Sequence, residues 1–239
     1  MLNGNVSSFP TRLSLFTDRQ LNCQFIQIKT NLNCGKTMAE QTTEDNIQGL
    51  IFDCDGTLAD TMPLHFHAWR STLDRYGITL SEDRFYSLGG QPTVKIVQLL
   101  SDEQGLDLDA ATVSEEKENA FLVRLGEVKP IAPIVDIVRA NVGKLPMAVA
   151  SGSHRAVVFD VLKIIGLDDL FNEHTVVGAE DTQLHKPNPD VFLEAARRIG
   201  VAPEQCRVYE DADLGIEAAR RANMECFDVR DVFTPARVT

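Results

Sequence analysis

Positive charge is what this 239-residue chain is short of: 23 lysines and arginines face 35 aspartates and glutamates, for a formal net charge of −12. Nucleic-acid backbones are held by clustered Lys and Arg, and no such cluster occurs, so no nucleic-acid partner is expected. The protein as a whole would repel an anionic ligand, which would need a few placed cations or a metal ion to hold it. Long apolar runs are missing too. None approaches the roughly 20 residues of a membrane-spanning helix, so no membrane partner is expected. Cysteine is sparse: the five, at 23, 34, 54, 206 and 226, are odd in number and form no C-x-x-C pair. That points away from a disulfide framework or a zinc site and towards a reducing cytoplasm.

The 44% of residues that are apolar suffice for a sizeable core, in one domain or two small ones. Residues 1–37 stand apart, with four basic residues and one acid, Asp18, so that 4 − 1 = +3 there leaves −15 for the remainder. Such an acid-poor stretch suits a transit peptide, which would place the protein in an organelle, but its Arg content is low and no amphipathic face repeats. The plainer reading is an upstream start, with Met38 as initiator. Residues 1–45 are expected to be an extension outside the fold, disordered or arising from that upstream start.

After it, strand and helix patterns alternate. Gly49-Leu50-Ile51-Phe52 and Pro146-Met147-Ala148-Val149-Ala150 are short apolar runs with the character of buried parallel strands. Val158, Val161, Leu162 and Ile165 recur at helical spacing before Gly166, and Phe192, Ala195, Ala196 and Ile199 do so before Gly200. Arg207-Val208-Tyr209 and residues 225–229 add two more strands. The pattern predicts an α/β fold, a doubly wound parallel sheet whose ligands bind at the carboxyl ends of the strands. From about Pro63 to Lys129 the alternation stops and helical spacing takes over, which predicts an inserted helical domain. Its first helix carries Phe66, Trp69, Leu73 and Tyr76 on one face, and Pro130 and Pro133 mark the return.

Asp53-Cys54-Asp55-Gly56-Thr57 follows the first strand and sends two carboxylates to the same side of the strand end. Close carboxylates repel, and an all-oxygen site suits Mg²⁺ better than zinc. Alone, the motif is equally a surface turn. Three later segments sit where the sheet would gather them. Ser151-Gly152 after the second strand offers a hydroxyl and backbone N–H groups for phosphate oxygens, or is an ordinary turn. Lys186, in His185-Lys186-Pro187, is a solvated lysine or an amine aimed by rigid backbone. Glu210-Asp211 offers further oxygen ligands, or is an acidic pair at a helix N-terminus.

The ordered set Asp53-x-Asp55-Gly56-Thr57, Ser151, Lys186 and Glu210-Asp211 resembles the haloacid dehalogenase superfamily over roughly residues 46–231. Asp60-Thr61-x-x-x-His65, Lys186-Pro187-x-Pro189-Asp190 and the run from Glu210 to Ala219 are similar to its helical-cap branch, which includes β-phosphoglucomutases and sugar phosphatases. The resemblance implies a core of residues 46–62 and 130–239 with a cap of residues 63–129. It implies a Mg²⁺-dependent monoester hydrolase in which Asp53 attacks phosphorus and becomes an aspartyl phosphate. Asp55 is then the acid and base, with its backbone carbonyl on the metal. Thr57, Ser151, Gly152 and Lys186 hold the phosphoryl group, Asp211 completes the metal shell, and Glu210 is an outer or variable ligand. His65 lies near the catalytic acid or is a packed helix histidine. Gln91 meets a sugar hydroxyl or caps the helix after Pro92, and Trp69 is core.

The loop Leu88-Gly89-Gly90-Gln91-Pro92-Thr93 lacks the lysine and arginine that mutases use to clamp a second phosphate, and it is closer to bacterial fructose-1-phosphatases. A monomeric phosphatase of a small sugar phosphate is therefore expected, with a phosphohexomutase and a non-catalytic binding protein as the alternatives.

Overall fold

Short runs of small and branched apolar residues pair because neither of their faces can meet water, and helices close both sides. In the computed structural model, which describes residues 46–238, five such strands form one parallel sheet. They are β1 (Gly49–Phe52), β2 (Met147–Ala150), β3 (Val176–Val177), β4 (Cys206–Glu210) and β5 (Glu225–Asp228), in the order β3-β2-β1-β4-β5. The expectations for residues 1–45, an upstream start or a transit peptide, lie outside the described residues.

β1 is central, with Ile51 in register with Ala148 on one side and Val208 on the other. Its side chains alternate between two cores. Leu50 and Phe52 pack with Ile134, Val138, Val158 and Val161 of helices α5 (Ala132–Asn141) and α6 (Arg155–Ile164). Ile51 packs with Phe192, Ala195, Ala218 and Ala219 of α7 (Asp190–Ile199) and α8 (Asp213–Arg221). The doubly wound parallel sheet expected from the alternation is therefore present. β3 had no signal in the sequence because two residues are too few to show a period.

Between β1 and α5 the described residues contain helices and no strand: α1 (Met62–Leu73), α2 (Glu82–Ser87), α3 (Thr93–Glu103) and α4 (Ala110–Leu122). Phe66, Trp69 and Leu73 are buried in a third apolar cluster, as their spacing predicts. Tyr76 falls beyond the end of α1, in a single 3₁₀ turn, and is only partly buried. Where the chain leaves and returns, the Asp60 N–H donates to the Lys129 carbonyl at 2.9 Å and the Ile131 N–H to the Leu58 carbonyl at 2.9 Å. No helix among the described residues is long and apolar enough to cross a membrane.

Candidate active site

Parallel strands end on one edge, so the residues that follow β1, β2 and β4 are brought together there. Asp53 continues from β1, with its N–H donating to the Tyr209 carbonyl of β4 at 3.0 Å. The chain then turns tightly: the Leu58 and Ala59 N–H groups donate to the Cys54 carbonyl at 3.0 and 3.1 Å. Gly56 takes φ +85°, and a Cβ there would overlap the Asp211 carboxylate, so the turn needs glycine for both conformation and space. A surface turn would leave the acids in water, whereas Asp53 is only 4% exposed.

Lys186, just before α7, is 1% exposed, which rules out a solvated lysine. Its Nζ donates to Asp53 Oδ1 at 2.6 Å and to Glu210 Oε1 at 2.9 Å. Burial disfavours the ammonium charge, but the two carboxylates outweigh burial and hold its pKa above the ordinary lysine value. The other oxygen of Glu210 accepts from the Asp211 and Ala212 N–H groups at 2.7 and 3.3 Å. A Cβ on Gly215 of α8 would overlap Glu210, so α8 approaches this carboxylate as closely as a bare backbone permits. Thr57 donates to Asp211 Oδ1 at 3.3 Å.

Asp53, Glu210 and Asp211 each offer an oxygen within 4.8 Å of the others. Burial, and then the neighbouring acids, push the Asp53 and Asp211 carboxyls well above the usual carboxylate range. Three crowded carboxylates with one lysine form an oxygen-only, under-neutralised set, the donor chemistry that fits a hard divalent cation.

Asp55 has the opposite surroundings. It accepts from Thr61 Oγ1 at 2.8 Å and Ser153 Oγ at 2.7 Å, and lies 3.1 Å from His65 Nε2. Burial would raise its pKa, but His65 and the hydroxyl donors outweigh that and hold it well below the ordinary value. Two carboxylates two residues apart are thus pushed in opposite directions, the usual mark of a divided acid–base task.

The cavity over these groups is lined by Asp53, Asp55, Ser151, Gly152, Glu210 and Asp211 from the sheet edge. From the helical insertion it takes His65, Trp69, Gln91, Thr93 and Lys117. Thr57 and Lys186 do not line it: Thr57 is fully buried against Asp211, and Lys186 lies behind Asp53. α3 starts after Pro92 without a side-chain cap, so Gln91 faces the cavity instead of capping that helix. Trp69 belongs to the insertion's apolar cluster and lines the cavity as well. A Cβ on Gly152 would stand 2.7 Å from the Gly90 carbonyl, so the loop after β2 and the loop before α3 touch over the site.

Two participants have weak sequence signals. Lys117 of α4 is 3% exposed, and its Nζ lies 2.9 Å from His65 Nδ1. A lysine on the buried stripe Val113, Lys117, Phe121, at i, i+4 and i+8, was the available signal. Ser153, two residues beyond Ser151, could be read only from its position in Ser-Gly-Ser.

The sequence model of haloacid dehalogenase-like hydrolases matches residues 50–229. The fructose-1-phosphate phosphatase YqaB of Escherichia coli (strain K12) is 44% identical over 183 residues, covering 76% of this chain and 96% of that protein. A hydrolase from Pseudomonas syringae superposes with a TM-score of 0.71 at 27% identity, covering 78% of this chain and 87% of that one. A β-phosphoglucomutase from Clostridium difficile does so with a TM-score of 0.70 at 26% identity, covering 76% and 84%. With that match spanning the sheet and every site residue described above, the chain belongs to the haloacid dehalogenase-like hydrolase family, as a hydrolase of the phosphatase type.

Proposed function

We propose that this protein is a magnesium-dependent phosphatase that hydrolyses a small sugar phosphate through an aspartyl phosphate on Asp53. The observation that carries this reading is the buried group of Asp53, Lys186, Glu210 and Asp211 at the floor of a cavity whose other wall holds Asp55 in a contrasting charge state. The 44% identity to a fructose-1-phosphate phosphatase supports a sugar phosphate as substrate.

Asp53, Asp211 and Glu210, together with the Asp55 backbone carbonyl, would hold Mg²⁺. When bound, the ion would neutralise charge on the phosphoryl oxygens. Lys186 pins the Asp53 carboxylate and keeps a positive charge beside the phosphoryl group. The Ser151 hydroxyl and the Gly152 N–H take its oxygens. Asp53 attacks phosphorus while the ester P–O bond breaks, and Asp55 gives its proton to the leaving alkoxide. Asp55 then removes a proton from water, the water oxygen attacks phosphorus, and inorganic phosphate leaves with Asp53 restored. At rest the donors around Asp55 favour its carboxylate, the form that the second step uses. A phosphate charge arriving beside it opposes that preference and favours the acid form that the first step uses.

Residues 63–129 serve as a cap on a core of residues 46–62 and 130–239. The paired segments around Leu58–Asp60 and Lys129–Ile131 are the hinge, and the Gly90–Gly152 approach is the closed arrangement. A mutase reading draws support from the likeness to β-phosphoglucomutase. Against it, the lining of the cavity offers Lys117 as its one lysine and no arginine among the described residues, too little to clamp a second phosphate.

Phosphate release across a panel of sugar phosphates, with and without magnesium, tests the proposal. A phosphatase releases phosphate without a co-substrate, a mutase isomerises and needs a bisphosphate, and a binding protein does neither.

A further inference from the structure

A stretch of chain after β5 ties the sheet to the helical insertion and plays no part in the chemistry above. Beyond the 3₁₀ turn Val229–Asp231, the Phe233 N–H donates to the Val229 carbonyl at 2.9 Å, and Phe233 packs against the core that holds Leu50 and Phe52. Further along, Val238 packs instead against the apolar cluster of the insertion. Arg237 lays its guanidinium over the Tyr86 ring, 4.2 Å from the centroid, and lies 3.3 Å from Asp83. The Val238 N–H donates to Glu82 Oε1 at 2.8 Å. Glu82, Asp83 and Tyr86 all belong to α2, so the stretch is fastened to one helix of the insertion. The Asp83 ion pair is open to water and adds little, which leaves the stacked guanidinium and the Val238 contacts as the effective anchors.

α2 is the helix that delivers the loop over the cavity. The Leu88 and Gly89 N–H groups donate to the Phe85 and Tyr86 carbonyls at 3.0 and 3.1 Å, so the loop hangs directly from the turn that Arg237 grips. Leu88, Gly89, Gly90, Gln91 and Thr93 line the cavity. The same loop approaches the sheet edge beside Asp211, where a Cβ on Gly89 would stand 3.1 Å from Ala212 Cβ. The fastening is separate from the paired segments at Leu58–Asp60 and Lys129–Ile131. It therefore bears on where the insertion sits over the core more than on whether either part folds.

We propose that Arg237 and Val238 are positioning residues: through Tyr86 and α2 they hold the loop Leu88–Thr93 against the sheet edge and so favour the cap arrangement that is closed over a bound substrate. A substrate that selects the closed arrangement binds more weakly when that arrangement is less populated, while turnover of the bound complex changes little. This rests on the cap reading above.

Arg237→Ala and Val238→Ser each remove one anchor, and Arg237→Lys keeps a cation beside Tyr86. Arg237 is exposed and Val238 only partly buried, so both loss variants should fold. Two measurements on the full chain test the proposal: amide hydrogen exchange without ligand, and kcat and KM on a hexose monophosphate. In each loss variant the amides of residues 88–91 should exchange about fivefold faster while those of β1 and β4 do not change. KM should rise about two- to fivefold with kcat within about twofold of native. Arg237→Lys should lie close to the native protein in both measurements. Native-like exchange in both loss variants, faster exchange shared equally by β1 and β4, a loss confined to kcat, or no rescue by lysine overturns the assignment. If the native protein releases phosphate from no sugar phosphate, the phosphatase reading itself fails, and the exchange measurement still decides the role of Arg237 and Val238.

Discussion

Lys186 Nζ lies 2.6 Å from Asp53 Oδ1, joining residues 133 positions apart beneath the floor of the cavity. The same ammonium reaches Glu210 at 2.9 Å, so one buried cation holds the end of β1 and the end of β4 in fixed relation. Asp53→Asn keeps a group that can accept from Lys186 but removes the nucleophile. It is expected to fold, by circular dichroism, and to turn over no phosphate ester even at saturating magnesium; retained turnover would sink the assignment. Lys186→Met leaves buried carboxylates without their partner, and should cost about 3–5 kcal/mol of stability in urea unfolding at neutral pH, together with activity.

Metal dependence should appear in stability as well as in turnover. Three crowded carboxylates destabilise the folded state until a cation joins them, so chelation should abolish phosphate release and lower Tm, and magnesium should restore both. At a free concentration of about 100 times Kd the gain is about 2.7 kcal/mol. Activity that survives exhaustive chelation, or a Tm indifferent to magnesium, would exclude the metal role.

Gly215 has no catalytic group, yet its lack of a side chain leaves Glu210 its place. Gly215→Ala should displace that carboxylate and, through it, Lys186. The expected cost is about 1–3 kcal/mol of stability and about a hundredfold in kcat, since small misplacements at a phosphoryl site are felt strongly. Native-like kcat in this variant would show that Glu210 need not be held.

Alkaline sensitivity follows from Cys206, buried at the start of β4. Burial, with a smaller contribution from Glu204, raises its thiol from an ordinary 9.0 to about 11. In this interval the folded state keeps the proton and the unfolded state releases it. The stabilisation is therefore complete below about pH 9 and is lost as pH rises towards 11. Tm should fall over that range, and Cys206→Ala should flatten the fall; an equal slope in the variant would assign the sensitivity elsewhere.

Much of the fold was legible because its causes are local. Apolar runs of four and five residues marked β1 and β2, the shorter Arg207-Val208-Tyr209 marked β4, and periodic residues before Gly166 and Gly200 marked α6 and α7. β3 was not legible, because a two-residue edge strand exists only by pairing with β2. At the site, Asp53, Asp55, Ser151 and the Glu210-Asp211 pair stood out because each follows a strand. Lys117 did not, since its partner His65 lies 52 residues away on another helix and its own neighbours show only an ordinary amphipathic stripe. Thr57 lies fully buried with its hydroxyl donating to Asp211, a partnership that no spacing rule contains.

By itself the sequence determined the inventory and its order: which carboxylates leave which strands, and the scarcity of cations that makes each lysine conspicuous. Only the tertiary structure decided the charge state and partner of each group. Burial and through-space neighbours set those, and both depend on chain segments brought together by a parallel sheet. Asp53 and Asp55 are two residues apart and identical in type, and one is pushed towards neutrality while the other is held charged: burial and Glu210 raise Asp53 against the opposing pull of Lys186, whereas His65, Ser153 and Thr61 hold Asp55 down despite its burial.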